Sequence, residues 1–304
     1  MTDTKCGYVS LIGEPNAGKS TLMNHMVGAK ISIVTHKVQT TRARIRGIAI
    51  EGNAQLVFVD TPGLFQTRRN LDKAMVAAAW SGAGDGDVVV LLIEAHRGIT
   101  KGTEMILEGL GKRLRPKQKI VLAINKIDMV KSEKLLALTK NINDMFEFEE
   151  TFMISAEKGF GVKELRTYLA ANMPAGPWLY PEDQIADVPM RMIAAETTRE
   201  KLMLRLHQEL PYFLTVETTG WEKKKDGSVR IDQVVYVVRE RHKGIALGPK
   251  GETIKAVSIA SRTELKNLVG AEVHLFIQVK VRPKWENEAE RFTEMGLDFS
   301  DTKK

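Results

Sequence analysis

A glycine-containing loop near the start of the chain restricts the possible folds more than any other feature. The apolar run Tyr8–Ile12 precedes this loop, and the amphipathic stretch Ser20–Val27 follows it. The loop itself has the sequence Gly13-Glu14-Pro15-Asn16-Ala17-Gly18-Lys19-Ser20-Thr21. Such spacing between a strand and a helix is typical of phosphate-binding loops, which belong to α/β proteins with a mostly parallel sheet.

The rest of the first half keeps the same alternation of short apolar runs and amphipathic stretches. The predicted strands are Tyr8–Ile12, Gln55–Val59, Val88–Ile93 and Ile120–Ile124. The predicted helices are Ser20–Val27, Leu71–Ala79, Gly102–Leu114, Ser132–Met145 and Val162–Ala171. Strands that alternate with helices of one apolar face favour a doubly wound, mostly parallel sheet covered on both sides.

The residue types of the loop suit a chain of phosphates. Glycines let successive backbone N–H groups curl around phosphate oxygens, and the start of the helix adds positive potential. Lys19 would neutralise charge on the outer phosphates, and the Ser20 hydroxyl would hold Mg²⁺. The predicted nucleotide contacts here are Gly13, Asn16, Ala17, Gly18, Lys19, Ser20 and Thr21. A plain turn between a strand and a helix is the alternative.

A second short motif, Asp60-Thr61-Pro62-Gly63, follows the predicted strand Gln55–Val59. At a strand end beside the phosphates, Asp60 would bind Mg²⁺ through water. The backbone N–H of Gly63 would face a γ-phosphate. Leu64 occupies the position where many such enzymes carry a glutamine that orients water. We therefore expect slow intrinsic hydrolysis that depends on a partner, on another polar group or on a monovalent cation.

Two further motifs indicate which nucleotide base is recognised. Asn125-Lys126-Ile127-Asp128 closes a predicted strand, and its final carboxylate can accept hydrogen bonds from N1 and the exocyclic N2 of guanine. Adenine lacks both donors, which argues against an ATP-using enzyme. Ser155-Ala156 would add a backbone N–H to the guanine carbonyl. The predicted cofactors are therefore GTP or GDP with Mg²⁺.

The alternation of strands and helices stops at a proline-rich segment, and a second pattern begins beyond it. Pro174, Pro177, Pro181 and Pro189 resist regular pairing. After them we predict a helix over Glu196–Leu210, strands over Tyr212–Glu222 and Ile231–Arg239, an apolar segment Gly244–Gly248, a helix over Glu252–Leu268 and a strand over Glu272–Val281. The order is α-β-β-α-α-β. We predict a first domain over 1–173, a linker over 174–190, a second domain over 191–285 and an acidic tail over 286–304. The tail would be either a disordered end or a segment that competes with an anionic ligand for the basic face of the second domain.

Charge and one loop indicate what the second domain binds. Residues 221–284 hold 14 Lys and Arg against 7 Asp and Glu, and such a positive field suits an anionic partner. Gly248-Pro249-Lys250-Gly251 lies between the two predicted helical segments, as does the Gly-x-x-Gly clamp of type II KH domains, which grips single-stranded RNA. The predicted RNA contacts are Arg241, Lys243, Gly248, Lys250, Gly251 and Lys255. A basic domain with no RNA contact, or one that docks on a membrane surface, is the alternative.

These motifs together resemble the Era family of GTPases along nearly the whole chain. Family-specific segments are Gln39-Thr40-Thr41-Arg42-Ala43-Arg44 and the stretch from Val237 through Lys255. The resemblance implies that Thr41 closes over Mg²⁺ and the γ-phosphate, with Thr40 as the fallback. It also implies that Lys19, Thr41 and Gly63 are catalytic and that Ser20, Thr41 and Asp60 surround the metal. At the clamp, Pro249 departs from the usual Gly-Lys-Gly-Gly and removes one N–H group.

The resemblance further implies cofactors and partners. Potassium would bind near Asn16, unless Asn16 is a plain turn residue, and the RNA would be the 3′ end of 16S rRNA in assembly of the 30S subunit. We expect a monomer. No apolar run reaches the roughly 18 residues of a membrane span, and the single Cys6 cannot form an internal disulfide, so we expect a cytoplasmic protein. A signalling GTPase that docks on the inner membrane face or on a protein remains the rival hypothesis.

Overall fold

The computed structural model of this chain describes residues 3–37, 40–42, 45–65, 67, 69–113, 118–207, 210–283 and 285–303. The chain divides into two compact units. The first unit comprises residues 1–32, 41–187 and 292–304, and the second comprises residues 33–40 and 188–291. Among the described residues, no helix combines the length and the apolar character required to cross a membrane.

A six-stranded sheet with five helices forms the body of the first unit. Its strands are β1 Lys5–Gly13, β2 Ile45–Glu51, β3 Ala54–Asp60, β4 Val88–Glu94, β5 Lys119–Asn125 and β6 Glu150–Met153, in the order β2-β3-β1-β4-β5-β6. Its helices are α1 Lys19–Val27, α2 Asn70–Asp85, α3 Lys101–Arg113, α4 Ser132–Met145 and α5 Val162–Ala171. Every strand pair is parallel except β2 with β3. The predicted doubly wound α/β fold is therefore confirmed.

Burial explains why these runs become strands. Every residue of β4 is buried, as expected for a central strand of a parallel sheet with both faces covered. Leu91 on β4, Leu122 on β5 and Ile142 on α4 belong to one apolar cluster with exposures of 1% or less. Because β3, β1, β4 and β5 pair in parallel, their carboxyl ends lie at one edge of the sheet, which is where the predicted motifs lie.

Strand β2 was missed by the sequence prediction. It forms a hairpin with β3, in which Glu51 pairs with Ala54 across the two-residue loop 52–53. Gly52 has a φ of 59°, a conformation that favours glycine in such turns. The pattern of β2 is broken by Arg46 and Gly47, so it does not stand out as a buried strand before its pairing with β3 is known.

The second unit has a three-stranded sheet with helices. Its elements are α6 Met190–Arg205, β7 Leu214–Lys223, β8 Val229–Val237, α7 Glu240–Leu247, α8 Glu252–Val269 and β9 Val273–Val281. Strands β7 and β8 are antiparallel, and β8 and β9 are parallel. This is the predicted α-β-β-α-α-β order. Its apolar core includes Leu202 of α6, Val235 of β8 and Val257 of α8.

Two predicted boundaries in this unit were wrong. The helix predicted over Glu196–Leu210 begins at Met190, directly after Pro189, and ends at Arg205. Pro189 is the residue that caps the start of this helix, where its missing N–H costs no helical hydrogen bond. The apolar segment Gly244–Gly248 lies mostly inside α7, which begins at Glu240.

The acidic tail was expected to be either disordered or a competitor for the basic face. It contains a helix, α9 Ala289–Glu294, and it buries Phe292 and Leu297. The rings of Phe292 and Phe299 lie 5.0 Å apart. Apolar side chains spaced between the acidic ones are buried here, so a disordered end is wrong for the described residues 285–303.

Candidate functional site

The phosphate loop has the backbone geometry that its glycines allow. Gly13, Asn16 and Gly18 have φ angles of 149°, 68° and 98°, a region that residues other than glycine and asparagine rarely adopt. A Cβ on Gly13 would lie 2.4 Å from the carbonyl oxygen of Leu92, and one on Gly18 would lie 2.2 Å from the amide nitrogen of Asn125. The loop therefore requires glycine at both positions.

Lys19 points its ammonium group into this loop. Its Nζ donates hydrogen bonds to the carbonyl oxygens of Gly13 at 3.1 Å and Glu14 at 3.0 Å. Burial lowers the pKa of Lys19 to about 8, although the nearby carboxylates of Asp60 and Glu14 oppose this shift. A buried cation inside a ring of backbone groups is suited to meet an anion, because phosphate oxygens would supply the missing counter-charge.

The three residues predicted to surround Mg²⁺ converge in the structure. The Ser20 hydroxyl donates to Asp60 Oδ2 at 2.6 Å, and the Thr41 hydroxyl lies 2.9 Å from Ser20 Oγ and 3.4 Å from Asp60 Oδ2. Ser32 also donates to Asp60 Oδ2, at 2.8 Å. Ser32 was missed in the sequence because it belongs to no motif.

The donor set around Asp60 fits a hard divalent cation. Asp60 is fully buried, and among the described residues no side chain or backbone group hydrogen-bonds to its Oδ1 atom. Burial raises the pKa of Asp60, and the hydroxyls of Ser20, Ser32 and Thr41 together with Lys19 oppose that rise. An all-oxygen cluster with one unpaired carboxylate oxygen is what Mg²⁺ prefers.

Gly63 and Leu64 approach the phosphate loop through their backbones. A Cβ on Gly63 would lie 2.7 Å from the backbone nitrogen of Pro15, and the N–H of Leu64 donates to the carbonyl of Gly13 at 3.0 Å. The Leu64 side chain is 4% exposed and belongs to the apolar core with Ile12. Its side chain therefore packs inward, and it cannot orient a water molecule.

Asn125 connects the base-recognition motifs to the phosphate loop. Its Nδ2 donates to the carbonyl of Ala17 at 2.8 Å, and its Oδ1 accepts from the N–H of Lys126 at 2.8 Å and of Ala156 at 2.9 Å. Asp128 is exposed in the short helical turn Ile127–Met129. The predicted loops thus meet at one edge of the sheet.

The remaining residues of these motifs are also placed. Ser155 is buried, and its backbone N–H donates to the carbonyl of Phe160 at 2.9 Å. Lys126 has a φ of 63°, and its ammonium group pairs with Glu94 at 2.6 Å. Thr21 lies in the first turn of α1. Glu94 has no motif in the sequence, so its role as the partner of Lys126 was not predictable.

The Gly-x-x-Gly segment of the second unit forms a tight turn between α7 and α8. Gly248, Lys250 and Gly251 have φ angles of 75°, 49° and 79°, and the Gly251 N–H donates to the Gly248 carbonyl at 3.1 Å. A Cβ on Gly248 would lie 2.1 Å from Thr253 Oγ1. Lys250 is exposed in a left-handed conformation, which costs a side-chain-bearing residue about 1 kcal/mol or more.

The other predicted RNA contacts lie on the helices that flank this turn. Arg241 is exposed and Lys243 is partly buried on α7, and Lys255 is exposed on the first turns of α8. Pro249 is exposed at the start of the turn and has no N–H to offer a phosphate. Cationic side chains on both sides of a glycine turn can hold an anionic strand.

The fold and the geometry define a class of protein. A phosphate loop, an oxygen cluster for Mg²⁺ and an Asn-Lys-x-Asp loop at one sheet edge define a P-loop GTPase, here followed by a KH domain. Residues 8–126 match the family model described as a 50S ribosome-binding GTPase, and residues 209–286 match the KH domain model.

Comparison with individual proteins identifies the family. The chain is 72% identical over 298 residues to GTPase Era of Dinoroseobacter shibae, covering 98% of this chain and 97% of that protein. It is 60% identical over 296 residues to GTPase Era of Rhizobium meliloti, covering 97% and 94%. The chain belongs to the GTPase Era family, whose enzymatic activity is the hydrolysis of GTP.

Solved structures agree over both units. A crystal structure of Era in complex with MgGDPNP and nucleotides 1506–1542 of 16S ribosomal RNA has a TM-score of 0.90 and 34% identity, covering 96% of this chain and 99% of that one. A structure of an Aquifex aeolicus Era variant bound to GDP and AlF4⁻ has the same score, identity and coverage. The predicted fold class, an α/β GTPase domain followed by a KH domain, is thereby confirmed over 96% of this chain.

Asp128→Asn should weaken GTP binding by about tenfold or more, because a carboxamide cannot accept both N–H groups of guanine. Xanthine carries a carbonyl in place of the exocyclic amine, so this variant should prefer XTP over GTP. Titration with fluorescent nucleotides measures both affinities. The control Asp144→Asn, on the exposed side of α4, should bind GTP as the wild type does. Unaltered GTP affinity of Asp128→Asn would contradict the assignment.

Lys19→Met should change how the stability of the nucleotide-free protein depends on pH. Burial lowers the pKa of Lys19 to about 8 from 10.5, so between these values the unfolded chain binds the proton more tightly. The wild type therefore gains about 3 kcal/mol from this group as pH rises through that range. The variant lacks this gain. Urea unfolding at pH 7 and pH 10 measures the difference, and parallel behaviour of both proteins would contradict the burial argument.

Proposed function

We propose that this chain is a GTP-dependent switch that binds the single-stranded 3′ end of 16S rRNA and assists assembly of the 30S ribosomal subunit. The observation that carries this proposal is the glycine turn of residues 248–251 with cationic side chains on both flanking helices. A relative with 34% identity was crystallised with a GTP analogue and this part of the RNA. We assign residues 1–173 to GTP hydrolysis and 191–285 to RNA.

The proposed roles in the nucleotide site follow from the geometry. Ser20, Thr41 and Asp60 would hold Mg²⁺, which would neutralise charge on the β- and γ-phosphates. Lys19 would add a second positive charge from inside the loop, and the N–H of Gly63 would donate to the γ-phosphate. Because the protein mainly positions water and stabilises charge in phosphoryl transfer, Lys19, Thr41 and Gly63 are the proposed catalytic residues.

The base would be held by the loops that Asn125 joins. The Asp128 carboxylate would accept from guanine N1 and N2. A backbone N–H of Ser155 or Ala156 would donate to the guanine carbonyl in exchange for its acceptor in the ligand-free protein, the Phe160 carbonyl or Asn125 Oδ1. Lys126 would lie along the base through its aliphatic stem. These groups, with Gly13, Asn16, Ala17, Gly18, Ser20 and Thr21 on the phosphates, complete the proposed GTP contacts.

We also propose that a potassium ion near Asn16 supports hydrolysis, since Leu64 is buried and cannot orient water. Turnover in KCl should then exceed turnover in NaCl of equal ionic strength by about tenfold, the size expected of one electrostatic contribution of 1.4 kcal/mol. Asn16→Gly keeps the left-handed backbone but removes the side-chain oxygen, so it should lose the preference for potassium. Equal rates of the wild type in both salts would overturn this part of the proposal.

RNA affinity with bound GTP analogue or GDP tests the function itself. At fixed salt, a short 3′-terminal 16S RNA should bind more tightly with the analogue than with GDP. Lys250→Gly keeps the positive φ and removes the cation, so it should lower the salt dependence of log Kd by about 1. The control is Lys225→Gly, at an exposed hairpin tip.

The outcomes separate RNA binding from membrane docking. Loss of RNA affinity in Lys250→Gly alone supports the clamp as the RNA site. RNA affinity could instead be the same with either nucleotide and in Lys250→Gly, while the protein sediments with anionic lipid vesicles. A GTPase that binds peripherally to the membrane would then be the better description.

A further inference from the structure

Helix α6 of the second unit is buried on a polar side as well as on its apolar side. Ala195 and Leu202 belong to the apolar core of the unit. Arg199 and Glu200, in contrast, are charged and only 1% and 2% exposed. Charges taken out of water destabilise a fold unless they are paired or hydrogen-bonded. The hydrogen-bond partners of Arg199 and Glu200 therefore indicate the function of the polar side of α6.

Those partners include backbone groups of Val34 and Thr40, two residues that are grouped with the second unit. Glu200 Oε1 accepts from the N–H of Val34 at 2.9 Å, and Arg199 Nη2 donates to the carbonyl of Thr40. Lys37 donates from Nζ to the carbonyls of Met203 and Leu206 at the end of α6. A cation at the carboxyl end of a helix is favoured by the unpaired carbonyls there.

Thr40 is joined by a peptide bond to Thr41, the proposed ligand of Mg²⁺ and the γ-phosphate. Thr41 belongs to the first unit, where its hydroxyl lies 2.9 Å from Ser20 Oγ. Consecutive Cα atoms are 3.8 Å apart, so a shift of the Thr40 carbonyl displaces Thr41 as well. The group that holds the Thr40 carbonyl therefore limits where the Thr41 hydroxyl can lie.

We infer that Arg199 and Glu200 are positioning residues for Thr41 in GTP hydrolysis, an inference that rests on the proposed role of Thr41. Arg199 holds the last residue before Thr41, and Glu200 holds the segment six residues earlier at Val34. They act through the backbone N–H of Val34 and the backbone carbonyl of Thr40.

The positioning pair is itself held by further charges of the second unit. Arg199 Nε donates to Glu196 Oε1 at 2.7 Å, and Lys201 Nζ donates to Glu200 Oε2 at 2.6 Å. Lys201 also donates to Glu264 of α8. Helix α8 begins at the glycine turn of residues 248–251, so the same helix carries the proposed RNA clamp at its start and this ion-pair network further along.

A double-mutant cycle with Thr41 tests the inference. Arg199→Met should lower kcat for GTP hydrolysis about tenfold, which corresponds to 1.4 kcal/mol, and leave GDP affinity within about twofold, because GDP has no γ-phosphate. In a Thr41→Ala background, the same substitution should change kcat little, since no hydroxyl remains to be positioned. Lys266→Met, on an exposed ion pair of α8, is the control.

Two results would overturn the inference in distinguishable ways. An equal effect of Arg199→Met with and without the Thr41 hydroxyl would mean that Arg199 acts elsewhere. An unchanged kcat in Thr41→Ala would show that the proposed role of Thr41 is itself wrong. Thermal unfolding of each variant distinguishes a loss of folding from a loss of catalysis. Glu200→Gln should keep near wild-type kcat, because its amide oxygen can still accept from the N–H of Val34.

Discussion

The buried carboxamide of Asn125 is the interaction on which the arrangement of the nucleotide site depends. It holds the carbonyl of Ala17 and the N–H groups of Lys126 and Ala156 at once. Gly18 makes this possible, because a Cβ there would overlap the amide nitrogen. Without Asn125, the buried Ala17 carbonyl and the buried Ala156 N–H would lose this partner, each at a cost of about 1–3 kcal/mol. One side chain thus aligns the phosphate loop with both base-recognition loops.

The same site holds charges that folding alone does not favour. Burial lowers the pKa of Lys19 and raises the pKa of Asp60, so the environment disfavours both charged forms before a ligand arrives. Mg²⁺ and phosphates carry the complementary charges and would relieve both penalties. Poor electrostatics in the ligand-free protein are therefore consistent with a site built for a charged ligand, and they link stability to nucleotide binding.

The second unit contains one strained backbone position and one pair of buried charges. Lys250 adopts a left-handed conformation in the glycine turn, which keeps a cation at the apex of the proposed RNA clamp. Arg199 and Glu200 are buried on α6, where Arg199 donates to the carbonyl of Thr40 and Glu200 accepts from the N–H of Val34. Both features place charge where the fold gains little from it, which favours a functional over a structural explanation.

Local patterns in the sequence were enough to predict the α/β fold, the KH order, and Ser20 and Asp60 as candidates for the metal site, because each motif depends on short-range spacing. Thr41 was added to these two only by the resemblance to the Era family. In the family-specific segment of residues 39–44, Gln39, Ala43 and Arg44 lie outside the described residues. Tertiary structure alone decided that Ser32 joins Asp60, that Glu94 pairs with Lys126, and that β2 completes the sheet. It also decided the partners of Arg199 and Glu200. These contacts join residues up to 166 positions apart, and no periodicity or motif in one chain specifies which distant side chains will pack together.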